Sequence, residues 1–261
     1  MKPTLLLLFF CLAAVPASAQ VSVEPWLRRG TLMLTAEVGG AAFSDFRQTQ
    51  ARPLLESTEL GEFQRRVSAR TAMTVGGSAA YWFGDSWGLR LAGAFVPTSF
   101  SVWNEEAAQR VLDERGDGER DRYSKLAIWM ADVGLVFRFP HVFGRVAPYG
   151  LVGGSWLVYQ VHGEDQLPPE AQEQFATGRW ATPAALFGAG AVIPLQQRNT
   201  LLSFELTNHL TRTPLHDEDG GEQFELDGIS LELQPRRHTG SDGVALTSNL
   251  RLTIGLTLPI R

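Results

Sequence analysis

The chain has 261 residues and carries 23 Lys and Arg against 28 Asp and Glu, a net charge of −5. That balance speaks against nucleic-acid binding, which relies on a basic patch or stripe. The single cysteine, Cys11, cannot build a disulfide framework, and it falls in a segment expected to be removed, so no thiol nucleophile is expected either.

Lys2, the apolar run 5–15 and the A-x-A site Ala17-Ser18-Ala19 follow one another in the order of a secretory signal peptide. The apolar run is only about half of the roughly 20 residues a spanning helix needs. Residues 1–19 are therefore expected to be the signal peptide and 20–29 a short periplasmic N-terminal segment. Residues 30–261 are expected to form one domain.

In that domain eight segments alternate in polarity or are rich in β-formers: 30–43, 67–83, 87–96, 123–139, 145–159, 180–195, 200–210 and 245–260. Each is long enough to cross a bilayer as a tilted strand, which takes about 9–11 residues. The spacers 44–66, 97–122, 160–179 and 211–244 are long and polar, whereas 84–86, 140–144 and 196–199 are short. Long and short gaps alternate strictly. That order is expected of an eight-stranded antiparallel up-and-down transmembrane β-barrel with short periplasmic turns and long extracellular loops. A soluble meander has no reason to keep it.

The last segment alternates most cleanly. Leu250, Leu252, Ile254, Leu256 and Leu258 share one face, and Asn249, Arg251, Thr253 and Thr257 share the other. A soluble lipocalin-like barrel would turn the apolar face inward, and a membrane barrel would turn it toward lipid. Two features favour the membrane barrel. Glu37, Arg90, Asp132, Arg138, Glu205 and Arg251 all fall on polar faces, and both signs are present. Eight strands enclose an interior just wide enough for side chains to fill, so such groups would form a paired lumen charge network there. Arg251 is expected at mid-depth and to bond at least one of Glu37, Asp132 and Glu205, with Glu37 and Glu205 favoured because their strands adjoin its own. The second feature is aromatic: Tyr81, Phe83 and Trp87 bracket the first short turn, and Phe137, Phe139 and Phe143 bracket or enter the second, as in an interfacial girdle.

Two loop segments are acidic, 113–121 and 216–222, but neither has EF-hand spacing, and arginines interleave the first. Solvated loops are the simpler reading. No phosphate-binding loop, zinc spacing or dinucleotide fingerprint follows a suitable strand, so no cofactor is expected. His209 lies beside Thr207, Thr211 and Glu205, and a lipid-cleaving triad would need such groups. Alternation, however, points Glu205 and His209 into the lumen, where lipid does not reach.

The segment Thr253-Ile254-Gly255-Leu256-Thr257-Leu258-Pro259-Ile260 resembles the C-terminal assembly signal of the small outer-membrane β-barrel family, the eight-stranded group that includes the OmpA transmembrane domain and OmpX-like proteins. It departs from that pattern in ending Ile260-Arg261 rather than on an aromatic residue. The resemblance implies insertion into a bacterial outer membrane, with outer-membrane lipid and the barrel-assembly machinery as partners, the latter through the last strand. The expected role is non-enzymatic: a structural or surface-interaction barrel whose loops meet an unidentified extracellular ligand. A narrow channel is the first alternative and a lipid A-modifying enzyme the second.

Overall fold

The computed structural model describes residues 29–53, 63–104, 125–139, 145–162, 178–195, 200–212, 222–226, 229–235 and 246–260. The expected signal peptide, the acidic run 113–121, residues 216–221 of the other acidic run and two of the short turns lie outside them. The described residues form twelve strands and no helix: β1 (Leu32–Phe43), β2 (Arg47–Pro53), β3 (Phe63–Ala69), β4 (Ala72–Trp82), β5 (Trp87–Asn104), β6 (Lys125–Arg138), β7 (Ala147–His162), β8 (Arg179–Pro194), β9 (Leu201–Arg212), β10 (Glu222–Leu226), β11 (Ile229–Pro235) and β12 (Leu246–Ile260).

Eight of them close on themselves. The order β4-β1-β12-β9-β8-β7-β6-β5 returns to β4, and every pairing is antiparallel. Closure removes both sheet edges, which lipid could not satisfy with hydrogen bonds. Leu32 pairs with Ile260, so the two ends of the barrel domain meet at one rim, here called the terminal end. The opposite rim is the distal end.

Alternation is realised as the sequence suggests. Leu252, Ile254, Leu256 and Leu258 face outward, each about half exposed, while Arg251, Thr253 and Thr257 are buried inside. Around the wall, Val38, Leu91, Trp129, Val133, Trp156 and Phe187 join the same exposed apolar belt. A soluble monomer rarely exposes contiguous apolar patches beyond a few hundred Å². A belt that circles the molecule suits lipid.

The spacer expectations need correction at the distal end. Segment 67–83 is two strands: it breaks after Ala69, and residues 67–69 belong to β3. The third segment does not stop at Val96 but continues as β5 through Asn104. Pro97 sits where the ladder to β4 has ended at Phe95 and the ladder to β3 has not begun, at Phe100, so its missing N–H costs no bond on that side. The spacers 44–66 and 211–244, read as loops, contain β2, β3, β10 and β11. These four extend the barrel from the end of β5 in the order β5-β3-β2-β11-β10.

Polarity inverts at that junction. Along β5 the outward side chains change from Leu91 and Phe95 to Ser99 and Ser101, while the inward ones become Val96, Phe100 and Val102, all buried. An apolar core straddles the rim there. Phe46 packs edge-on against Phe100 and Tyr159, with centroids at 6.4 and 5.8 Å, above Ile128, Met130 and Leu157.

Candidate functional site: the charged lumen

At mid-barrel the inward positions carry charge. Glu37 comes from β1, Arg90 from β5, Asp132 from β6, Glu205 from β9 and Arg251 from β12, and each is no more than 5% exposed. Strands that alternate this strictly turn such residues inward as the condition for turning their apolar neighbours to lipid.

Two linked groups result. Arg90 Nη2 donates to Glu205 Oε1 at 2.8 Å and to Glu37 Oε1 at 3.3 Å. Glu37 Oε2 accepts from the Thr253 hydroxyl at 3.0 Å, and Glu205 Oε2 from the Tyr149 hydroxyl at 2.8 Å. On the other side Arg251 Nη2 donates to Asp132 Oδ2 at 3.4 Å, and its Nε to Thr207 Oγ1 at 3.4 Å. Asp132 Oδ1 accepts from Ser155 Oγ and lies 3.1 Å from His209 Nε2. Arg251 Nη2 also stands 3.9 Å from Glu205 Oε1, which joins the two groups into one cluster across the lumen.

Small residues make the space. A methyl group on Gly190 would overlap the Tyr149 ring, so this glycine lets the phenol reach Glu205. A methyl on Gly255 would come within 2.6 Å of Ser203 Oγ and 2.7 Å of the Thr35 methyl. Toward the terminal end a cavity of about 40 Å³ is lined by Thr35, Glu37, Ser78, Arg90, Tyr149 and Glu205, among others. One water needs about 10–15 Å³ of such space, so two or three could solvate these groups. Below it Met33, Trp82, Val136, Leu151 and Leu186 pack a second apolar layer, and the Trp82 indole N–H points at the Met33 sulfur, 3.0 Å away.

Five of the six residues expected in the lumen meet in this cluster. Arg138 does not: it is half-buried at the terminal end of β6, and no side-chain bond joins it to the others. The expected partners of Arg251 are corrected in one case. Glu205, opposite Thr253, stands 3.9 Å from its guanidinium, whereas Glu37 is level with Gly255, four residues from Arg251 on the same strand, and does not meet it. Arg251 reaches across the lumen to Asp132, and Arg90 takes Glu37 and Glu205. His209, Tyr149 and Ser155 are additional members. His209 lies four residues from Glu205 in the sequence, but it meets Asp132, 77 residues earlier in the chain, and local sequence spacing carries no sign of that contact.

No family model matches this chain, and no curated protein matches it. Solved structures do. The outer membrane protein OprG from Pseudomonas aeruginosa is 11% identical over 90% of this chain and 97% of its own, with a TM-score of 0.50. Its fold is that of the small outer-membrane β-barrels. The N-terminal β-barrel domain of Pseudomonas aeruginosa OprF matches at 12% identity over 89% of this chain and 98% of its own, TM-score 0.41. The outer membrane protease OmpT from Escherichia coli matches at 9% identity over 94% of this chain and 100% of its own, TM-score 0.37. The likeness to OprG is one of fold.

Proposed function

We propose that this chain is a non-enzymatic outer-membrane barrel with a structural or surface-interaction role, whose lumen is closed by side chains and whose distal strands stand outside the cell. The observation that carries the reading is the lumen cluster: Arg90 and Arg251 tie β1, β5, β6, β9 and β12 together across the interior. An apolar layer lies on either side of it. An ion following the axis would have to break buried pairs, each of which resists separation because the partner left behind keeps an unpaired charge. Outer-membrane lipid is the partner of the apolar belt, the barrel-assembly machinery that of the β12 segment, and an extracellular ligand that of the distal strands.

The lumen also argues against hydrolysis. Ser155 bonds Asp132 rather than His209, so among the described residues no hydroxyl is paired with the imidazole as a nucleophile would be with its base. His209 is fully buried and turned from lipid.

Planar-bilayer recording of the purified protein tests the closed lumen: no steady ion conductance is expected, and steady conductance by the unmodified protein would replace this reading with the narrow channel. Orientation is tested separately. An epitope inserted at Gly116 should be reachable on intact cells and one at Gln197 should not, and the opposite labelling would reverse the topology.

A further inference from the structure

The cavity beside the charge cluster is not an ordinary packing gap. Voids that stay empty inside proteins are lined by apolar groups. This one, of about 40 Å³, is lined by Arg90, Glu37, Glu205, Thr35 and Thr257, with Met33 and Val136 on its apolar side.

Its donors are not all used. Arg90 is 4% exposed, and its Nη1 meets no acceptor among the described residues, although Nη2 serves both carboxylates. A buried donor without an acceptor costs the desolvation of that group, and the cost is larger for a charged one. Thr35 and Thr257 share a hydrogen bond of 2.8 Å between their hydroxyls. Whichever of them donates, the other hydroxyl keeps a hydrogen for a third partner.

Its acceptors have room. The oxygens of Glu37 accept from Arg90 and Thr253, and those of Glu205 from Arg90 and Tyr149. A carboxylate offers about four lone-pair sites, so both can take a further donor.

Together the donors and acceptors define the occupant. A small anion would accept from Arg90 but would face two carboxylates, in a cluster where Glu37, Asp132 and Glu205 already outnumber Arg90 and Arg251. A small cation would suit the carboxylates but offers no acceptor to the guanidinium. The lining fits a small neutral molecule that donates and accepts at once.

We propose that this cavity is a built hydration site, in which a few waters are a fixed part of the lumen cluster. One accepts from Arg90 Nη1 and donates to Glu37 or Glu205. Another accepts the spare hydroxyl hydrogen of the Thr35–Thr257 pair. At about 10–15 Å³ for each water the volume holds about three, and each finds the two to four polar partners that a buried water requires. The cluster is then complete only when wet on this side. Closure of the lumen needs side chains to cross it, whereas this site adds a ligand that the side chains must hold.

Crystals of the refolded full-length protein, at a resolution that shows ordered water, test the occupant. Water is expected in the cavity, with one oxygen about 3 Å from Arg90 Nη1. Ala80 lines the cavity and is level with Met33 and Arg90 on the neighbouring strands, so it offers a way to fill the space. Ala80→Val should displace water and lower the urea midpoint in micelles. Ala80→Ser, which adds a hydroxyl that water can bond, should keep both the water at Arg90 and the midpoint. Were the cavity dry, the valine would fill a void and raise the midpoint, as cavity-filling substitutions commonly do. A raised midpoint for Ala80→Val, or no density in crystals of the unmodified protein, overturns the inference. Crystals grown with bromide in place of chloride give the remaining arm: an anomalous peak in the cavity would assign it to a small anion instead. Steady conductance in planar bilayers would remove the closed lumen and leave these waters in place, so the two readings fail separately.

Discussion

The membrane-facing wall and the distal extension use the same alternating strands with opposite sidedness. In the wall, Leu252 and Trp129 face out while Arg251 and Asp132 face in. A few residues farther along β5, Ser99 and Ser101 face out while Phe100 and Val102 face in. The backbone is continuous through the change; only the solvent differs. Where lipid surrounds the strand, the polar residues go inward and must satisfy one another. Where water surrounds it, the apolar residues go inward and pack as in a soluble protein. The level at which polarity inverts, between Phe95 and Ser99, is where the hydrocarbon of the proposed bilayer would end on that side of the barrel.

The comparison breaks most severely if the charged cluster is not a coupled unit. Arg251→Ala leaves Asp132 and Glu205 without that base and should cost about 3–5 kcal/mol, the range for removing one member of a buried pair. Adding Asp132→Ala should restore part of the loss, because the stranded carboxylate goes too. Glu37→Ala in the Arg251→Ala background should restore none, since Arg90 and not Arg251 holds Glu37. Urea unfolding in micelles measures all three, and a double-mutant cycle that shows Asp132 and Arg251 to be additive would dismantle the cluster described above.

The outward face is probed next. Leu252→Arg places a charge in the apolar belt and should cost about 2–4 kcal/mol near the bilayer midplane. Refolding into bilayers with the yield and midpoint of the unmodified protein would mean that this face does not meet lipid.

Gly190→Ala tests how tightly the lumen is filled. The added methyl overlaps the Tyr149 ring, and overpacking of this kind costs about 1–3 kcal/mol. Pairing the substitution with Tyr149→Phe separates the lost hydroxyl contact to Glu205 from the steric effect: a loss of the same size in both backgrounds assigns the cost to packing, and a smaller loss in the Phe background assigns it to the hydrogen bond.

The smallest effect is expected at Ser101→Arg, the same substitution type as Leu252→Arg on the same outward parity but in the extension. Surface changes away from special features usually stay within about 0.5 kcal/mol. A loss matching that at Leu252 would erase the proposed inversion and move the hydrocarbon edge outward along β5.

Much of this molecule is legible in one dimension. The period-two pattern of β12, with Leu250 to Leu258 against Asn249 to Thr257, determines which side of that strand meets lipid, because side chains of a strand alternate whatever it pairs with. The same rule turns Glu37, Arg90, Asp132, Glu205 and Arg251 to one side of their strands. Pairing across the lumen was decided only by the closed barrel. It depends on the relative height of residues on different strands, so Arg251 met Asp132, 119 residues away, while Glu37, one strand over, lay out of its reach. The extension was hidden for another physical reason. Strands β2, β3, β10 and β11 are short, and β2 and β3 carry Arg47, Arg52, Arg65 and Arg66, so they read as polar loop. They become a sheet because β5 continues past Pro97 and offers its edge to β3, a pairing between residues far apart in the sequence that local pattern does not reveal.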